Sequence, residues 1–285
     1  MSLPPLPDHP SPRFSIVIPS MNSERTIRDA INSVLDQNHP SVEVLVIDGQ
    51  SSDRTVDLLK EYGNRIFWIS EPDKGQTDAL IKGFRQVNGE ILTWLNADDR
   101  LTSNALSAVD QAFRNDPLVE FVYGDIEFID STGRVLSWRL EPSFSRFILL
   151  YGHNLFADPT CFWKADVFDT TGELNSSINL SMDYEFWVRC CDRGIRFGQI
   201  ESCLAQYRID KENRSIAQFS AMREEHFNIL TANRAWLRAL PSALRKTVLN
   251  LLLKTSRLWK VVKTIAERGA LPKRRFSSLS GTRNQ

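Results

Sequence analysis

The sequence predicts an α/β fold, a mostly parallel central sheet flanked by helices, with a helical extension at its C-terminal end. Three observations predict it. Over the first hundred residues, short β-branched runs alternate with stretches of helical apolar spacing. The connections between them are short, which is the pattern of strand–helix–strand units in a parallel sheet. Polar residues stand at the strand exits, at Pro19-Ser20, Asp48-Gly49, Ser70-Glu71 and Asn96-Asp98-Asp99. Right-handed crossovers would bring those exits to one sheet edge, where open α/β sheets bind ligands.

In chain order, "FSIVIPS" (14–20) reads as a first strand ending at Pro19. "SERTIRDAINSVLDQ" (23–37) carries Ile27, Ala30, Ile31, Val34 and Leu35 at helical spacing, with Ser23 as candidate N-cap. "VEVLVIDG" (42–49) is a second buried strand, "SDRTVDLLKEYG" (52–63) a helix closed by Gly63, and "RIFWIS" (65–70) a third strand. "GQTDALIKGFRQVNG" (75–89) is the next helix, "EILTWLN" (90–96) the fourth strand, and "SNALSAVDQAFRND" (103–116) a helix stopped by Pro117.

The second half is less regular. Residues 120–138 read as two strands joined by a turn at Ser131–Gly133, and "RFILLYGHNL" as a connecting, partly apolar segment. "DPTCFWKADVFDTTG" looks like a strand, a short helix and a stop. "SMDYEFWVRCCDRG" (181–194) is amphipathic, with Tyr184, Trp187, Val188 and Cys191 on one face. "RFGQIESCLAQYRID" (196–210) reads as two short strands, followed by a long helix. The expected organisation is a flexible stretch over 1–12, a catalytic domain over 13–235, a basic amphipathic helix over 236–270 and a disordered tail over 271–285.

The 285 residues, 42% hydrophobic and 25% charged, place the chain with soluble globular proteins. Cys161, Cys190, Cys191 and Cys203 lack zinc-ligand or disulfide spacing and read as reduced core thiols. The proline-rich start has no apolar core of a signal peptide, and no apolar run is long enough to span a bilayer. The expected location is cytoplasmic. Net charge is zero, yet from Arg234 onward there are 13 Lys and Arg and one acid, Glu267. The body therefore carries about −12 and the tail about +12, and the two are expected to meet different partners or one another.

Asp98 and Asp99 at a strand exit suit Mg²⁺ or Mn²⁺ holding a diphosphate, or else simply cap the next helix. Asp48 suits a base N–H or a ribose hydroxyl, or else an Asx-turn with Gly49. Lys74 and Lys82, around the loop into the 75–89 helix, could face phosphate or solvent. Asp183 opens a helix whose other face is aromatic, and suits a general base or an ordinary first-turn acid.

As an ordered set, "SIVIPSMN" (15–22), "HPSVEVLVIDGQSSDRT" (39–55), "EPDKGQTDALIKGF" (71–84), "GEILTWLNADD" (89–99), "PTCFWKADVF" (159–168), "MDYEFWVR" (182–189) and "YRIDKENRS" (207–215) resemble the family 2 glycosyltransferases, inverting enzymes of the GT-A fold. The resemblance spans roughly residues 13 to 216. It implies that Pro19 and Asp48 line a nucleotide base pocket with Asn22 and Glu24 nearby, and that Asp78 and Lys82 lie along the nucleotide-sugar groove. Asn96, Ala97, Asp98 and Asp99 would form the DxD-like motif, with Asp98 binding the metal. Asp183 matches the catalytic base, and Arg208 and Arg214 would lie near the diphosphate. The implied partners are a nucleotide-sugar donor, UDP-sugar first, and a glycan or lipid-linked acceptor.

The sequence departs from that pattern in four places. Asn96 replaces the first acid of the motif, Met182 stands where many relatives have Glu, and Ile81 replaces the usual Asn. Asp210 takes the place of a frequent His and is a second candidate metal ligand. Acceptor recognition is expected around 138–158, with Trp138, Tyr151, His153 and Trp163 either stacking on sugar or packing. The basic helix over 241–268 sets Leu244, Val248, Leu251, Leu252, Leu258, Trp259, Val262 and Ile265 at near-helical spacing. It reads either as an interfacial helix on the anionic inner face of the plasma membrane or as a helix packed on the acidic body or in a dimer. Nucleic acid is not an expected partner, because the basic residues mix with a greasy face. A nucleotidyltransferase would carry a glycine-rich phosphate loop after the first strand, which "PSMNSERT" lacks. A catalytically silent nucleotide-sugar-binding module is the other alternative, and the joint presence of Asp48, Asp98 and Asp183 weighs against it.

Overall fold

Along the first two strands, alternate residues point into two different cores. The structure, a computed structural model, describes residues 13–37, 39–152, 156–209 and 218–271. In β1 (Phe14–Ser20) and β2 (Val42–Asp48), Ile16, Ile18, Val44 and Val46 join one apolar cluster, while Val17, Leu45 and Ile47 join another. This two-residue alternation, with both sets buried, is what a sheet covered on both faces requires. α1 (Ile27–Leu35), α2 (Thr55–Lys60) and α4 (Ala105–Asn115) cover the first face. α3 (Gln76–Phe84) and α7 (Met182–Asp192) cover the second.

The sheet order is β3-β2-β1-β4-β8-β6-β9-β5, with β3 (Phe67–Ser70), β4 (Ile91–Trp94), β5 (Arg100–Leu101), β6 (Phe121–Ile129), β8 (Cys161–Lys164) and β9 (Phe197–Arg208), and β7 (Val135–Arg139) pairs β6 off this path. β1 to β4 are parallel to one another, as is β9 to β6, while β8 runs antiparallel to both β4 and β6. The chain winds from β1 outward to β3, then returns to lay β4 on the other side of β1. That reversal makes the exits of β1 and β4 a topological switch point.

Several elements differ from the sequence reading. Thr26, not Ser23, precedes α1; Ser23 contributes its carbonyl, which accepts from Ile27 N at 2.9 Å. The segment read as a connection holds a helix, α5 (Arg146–Tyr151), capped by Ser145 Oγ. Its six residues are too few to display a helical period. The two strands expected over 196–210 are one, β9, whose register against β6 shifts around Gly124 and Asp125. Bulges there absorb the extra residues without ending the ladder. α7 is buried nearly all round, adding Met182, Phe186 and Cys190 to the expected face.

After α6 (Val167–Thr171), α7 and β9, the chain finishes in α8 (Phe219–Asn233), α9 (Ala235–Arg238) and α10 (Ser242–Arg268). α10 turns Leu249, Leu253, Ser256 and Thr264 inward. It meets the acidic body through Arg268–Asp125 at 2.6 Å and Lys260–Glu141 at 2.5 Å. Of the apolar stripe expected to pack or insert, Val248 and Leu252 pack against the body, while Leu244, Leu251, Leu258, Trp259, Val262 and Ile265 are exposed. Among the described residues, no helix is long and apolar enough to cross a membrane. All four cysteines are free, and only Cys203 is not buried. Residues 1–12, most of 271–285, His153, Asp210 and Arg214 lie outside the described residues.

Candidate active site

The exits of β1, β2 and β3 are knitted together by backbone and side chains. Gly49 N donates to Ser20 O at 2.8 Å and Glu71 N to Asp48 O at 3.0 Å, extending the ladders past the strand ends. A Cβ on Gly49 would stand 2.5 Å from Asp73 Oδ2 and 3.3 Å from Met21 Sδ, so the three loops approach as closely as they do because residue 49 has none. Pro19 is buried in β1 beside this junction.

Asp48 is fully buried, and its carboxylate accepts from Ser51 N at 2.9 Å, from Ser51 Oγ and from Ser70 Oγ at 2.7 Å. It therefore builds the turn after β2. Asn22, at φ +51°, accepts from Ser52 N at 2.9 Å and donates its own N–H to Ser51 Oγ at 2.7 Å. Glu24 accepts from Arg54 N at 3.0 Å. These side chains shape a rim between the β1 and β2 exits, with Asn22 and Glu24 exposed on it.

The β4 exit holds a buried polar cluster. Asn96 Nδ2 donates to Asp99 Oδ2 at 3.1 Å and to Asp158 Oδ2 at 3.0 Å, while its Oδ1 accepts from Gln76 Nε2 at 2.6 Å. Trp94 Nε1 also donates to Asp158, at 3.3 Å. Burial pushes the Asp99 carboxyl well above the usual carboxylate range, and the Asp98 and Asp158 charges add to it. Burial likewise raises Asp158, against the hydrogen bonds from Asn96 and Trp94. An amide at 96 can donate to both acids, whereas a carboxylate there could donate to neither. Asp158 is absent from the sequence reading. Its signal, one acid inside the apolar run "NLFADPTCFW", is visible only once its partner 62 residues earlier is known.

Asp183 lies half-buried in the first turn of α7. The buried Cys161 thiol is pushed up by burial first, and the charges of Asp158 and Asp183 add to it. Thr77 Oγ1, at the start of α3, donates to Ile178 O at 2.8 Å and contacts Met182 Sδ at 2.9 Å. Met182 is buried, and a thioether fits where a charge would not. Beneath these groups, Trp94 stacks on Trp187 with centroids 5.4 Å apart, and Trp163 packs edge-on against both. Trp163 is thus a core residue, while Trp138 is 42% exposed on β7.

Arg208 is buried and holds the back of the β4 loop. Its backbone N–H donates to Asp99 Oδ1 at 3.0 Å, and its guanidinium donates to the carbonyls of Asp98, Asp130 and Ser131 and to Asp29. Lys82 pairs with Glu71 at 2.8 Å and Asp78 at 3.6 Å, and burial of its stem brings its ammonium to Pro72 O. Asp78 also accepts from Lys74 N at 3.1 Å. Lys82 and Asp78 therefore tie α3 to the loop that enters it. Ala97 is buried between Asn96 and the half-buried Asp98.

Among the described residues, no group of three metal-ligating side chains occurs. Asn96 bridges the buried Asp99 and the half-buried Asp158, and its carbonyl is engaged by Gln76. Among the described residues of this loop, Asp98 is the carboxylate left for a metal by that bridge. Mg²⁺ and Mn²⁺ keep several waters and take phosphate oxygens when bound through one or two carboxylates, so the loop's chemistry is compatible with either.

The model of the family described as "Glycosyl transferase family 2" matches residues 15–172, more than half of the chain. A PGL/p-HBAD biosynthesis glycosyltransferase of Mycobacterium bovis is 28% identical over 185 residues, covering 63% of this chain and 70% of that protein. An uncharacterized glycosyltransferase of Rickettsia typhi is 28% identical over 188 residues, with 63% of this chain matched to 58% of that one, so the match leaves over a third of that relative uncovered. S. aureus TarS 1-349 in complex with UDP-GlcNAc superposes with a TM-score of 0.63 at 16% identity, over 91% of this chain and 76% of that chain. A mannosyltransferase of Pyrobaculum calidifontis in complex with GDP-Man and Mn²⁺ gives 0.61 at 17%, over 90% and 76%. These likenesses show a GT-A-like fold, which is consistent with divalent-cation use in some members of the family.

Proposed function

The chain belongs to glycosyl transferase family 2 and is a glycosyltransferase, and from that premise we propose that it moves a sugar with inversion from a nucleotide-diphosphate sugar to an acceptor hydroxyl. The favoured donor is a UDP-sugar. The acceptor is a glycan or lipid-linked sugar in polysaccharide or glycolipid assembly on the cytoplasmic side of an anionic membrane.

The observation that carries the reading is the polar exit of β4, where Asn96 bridges Asp99 and Asp158 next to the half-buried Asp98, at the switch point of the sheet. The rim built by Pro19, Asn22, Glu24 and Asp48 receives the base and ribose. Asp78 and Lys82 border the groove. Asp98 holds the divalent cation, which when bound supplies positive charge to the departing diphosphate. Asp183 removes the proton of the acceptor hydroxyl, whose oxygen attacks the anomeric carbon from the face opposite the leaving diphosphate. One displacement inverts the centre without a covalent enzyme intermediate, unlike a retaining glycosidase with two close carboxyls. Arg208 acts through position: by clamping the Asp98 carbonyl and Asp99 it fixes the loop that presents Asp98.

Because the relatives of this fold carry UDP-GlcNAc in one case and GDP-Man in another, the fold does not choose the base. A thermal-shift screen of UDP-, GDP- and dTDP-sugars with Mn²⁺ tests the donor, and the largest rise is expected with a UDP-sugar. Asp98→Ala should remove the Mn²⁺-dependent part of UDP binding measured by calorimetry. Binding by this variant that is still strengthened by Mn²⁺ would remove Asp98 as the metal ligand.

A further inference from the structure

A helix packed on a protein normally spends its apolar stripe on that packing. α10 does so only in part. Toward the body it packs Val248, Leu249, Leu252 and Leu253, with Ser256, Thr264 and the paired ends of Lys260 and Arg268. The Arg268–Asp125 and Lys260–Glu141 pairs set two basic residues on two buried acids and fix the rotation of the helix about its axis. Away from the body it turns Leu244, Leu251, Leu258, Trp259, Val262 and Ile265, each between 43% and 66% exposed. A single exposed Leu is ordinary, but six large apolar side chains on one helix face are not. The stripe from Leu244 to Ile265 is roughly 32 Å long at 1.5 Å per residue.

We propose that this face of α10 docks in the plane of an anionic lipid bilayer. The chemistry around the stripe selects that occupant. Lys254 is exposed beside it, Lys246 is exposed elsewhere on the same helix, and Lys273, Arg274 and Arg275 follow soon in the sequence. Glu267 is the only acid on α10, and it faces the body, accepting from Ser143 N at 2.8 Å. Trp259 lies within the stripe, where an indole prefers the boundary between headgroups and acyl chains. A second copy of the chain fits less well. A symmetric pairing of two α10 faces would bring the same lysines together with no acid on either helix to meet them. The acidic body would be repelled by anionic lipid, so binding through α10 also fixes which side of the protein meets the surface. This inference deepens the proposed use of a lipid-linked acceptor, but lipid binding is read without any transfer reaction, so the two fail separately.

The test is co-sedimentation of the full chain with vesicles of phosphatidylcholine alone and of phosphatidylcholine with phosphatidylglycerol at about three to one. Binding is expected to the mixed vesicles only and to weaken with salt. Leu251→Asp with Leu258→Asp should reduce it roughly tenfold or more, because two apolar anchors are lost. Lys246→Glu with Lys254→Glu should reduce it with the apolar face intact. All four positions are exposed, so thermal melts should match the parent protein. No binding to either vesicle would overturn the proposal. So would binding at the parent's level by both double variants, or a dimer in solution that Leu251→Asp with Leu258→Asp dissolves while the parent ignores vesicles.

Discussion

Asn96 sits between the buried Asp99 and the half-buried Asp158 and donates a hydrogen bond to each. Asn96→Asp should lose both donations and place a third acid beside Asp99 and Asp158. Asp158 keeps the Trp94 donor, so the expected cost is about 1–3 kcal/mol for the Asp99 oxygen left unpaired, read by urea unfolding at neutral pH and shrinking in acid. Asp158 gives a second expectation, with its sign set by the raised carboxyl. A raised carboxyl contributes stability below its ordinary value of 3.8, and that stability is lost as pH rises through the folded value. Asp158→Asn keeps an acceptor for Asn96 and Trp94 without that titration. It should melt higher than the parent at pH 7, with the gap closing as pH falls to about 4; a gap that is constant with pH would mean that Asp158 titrates alike in the folded and unfolded states. Residue types were legible here, since Asp98, Asp99 and Asp183 stand at element ends. The bridge was not, because hydrogen bonds across 62 residues leave no local pattern.

At the scale of elements, β-branched runs and helical spacing were a reliable guide where the element was of ordinary length. β1, β2, β6, β7 and α7 lie within two residues of their sequence-based bounds. The guide failed where the element was short or its ladder bulged, at α5 and along β9. For α10 the sequence showed an amphipathic helix but not which face would be used, since both the apolar stripe and the basic residues could meet the body. The body decides, because Asp125 and Glu141 are buried and need cations. Arg268→Ala strands Asp125, which the structure leaves 2% exposed. Breaking such a pair from one side costs about 3–5 kcal/mol. Hydrogen exchange should therefore quicken across 242–268 while β1 to β4 keep their protection; unchanged exchange in α10 would show that the apolar contacts to α5 alone hold it.

For the whole molecule, the sheet order places the switch point between β1 and β4, and among the described residues Asp48, Asp98 and Asp99 stand at the exits of β2 and β4. Asp183 comes from the second half of the chain, brought in because α7 buries Trp187 against Trp94. The charge asymmetry visible in the sequence is resolved in the same frame, with part of the basic tail neutralised by the body and part left beside an apolar face. The central claim is that this arrangement makes Asp183 the base of an inverting transfer. The most direct measurement compares Asp183→Asn with the parent protein for sugar transfer from the donor found by the thermal-shift screen, and for binding of the matching nucleotide by calorimetry. Transfer should fall by about 10²–10⁴-fold, the range a general base supplies, while nucleotide affinity stays near that of the parent. Transfer at the parental rate would contradict the account.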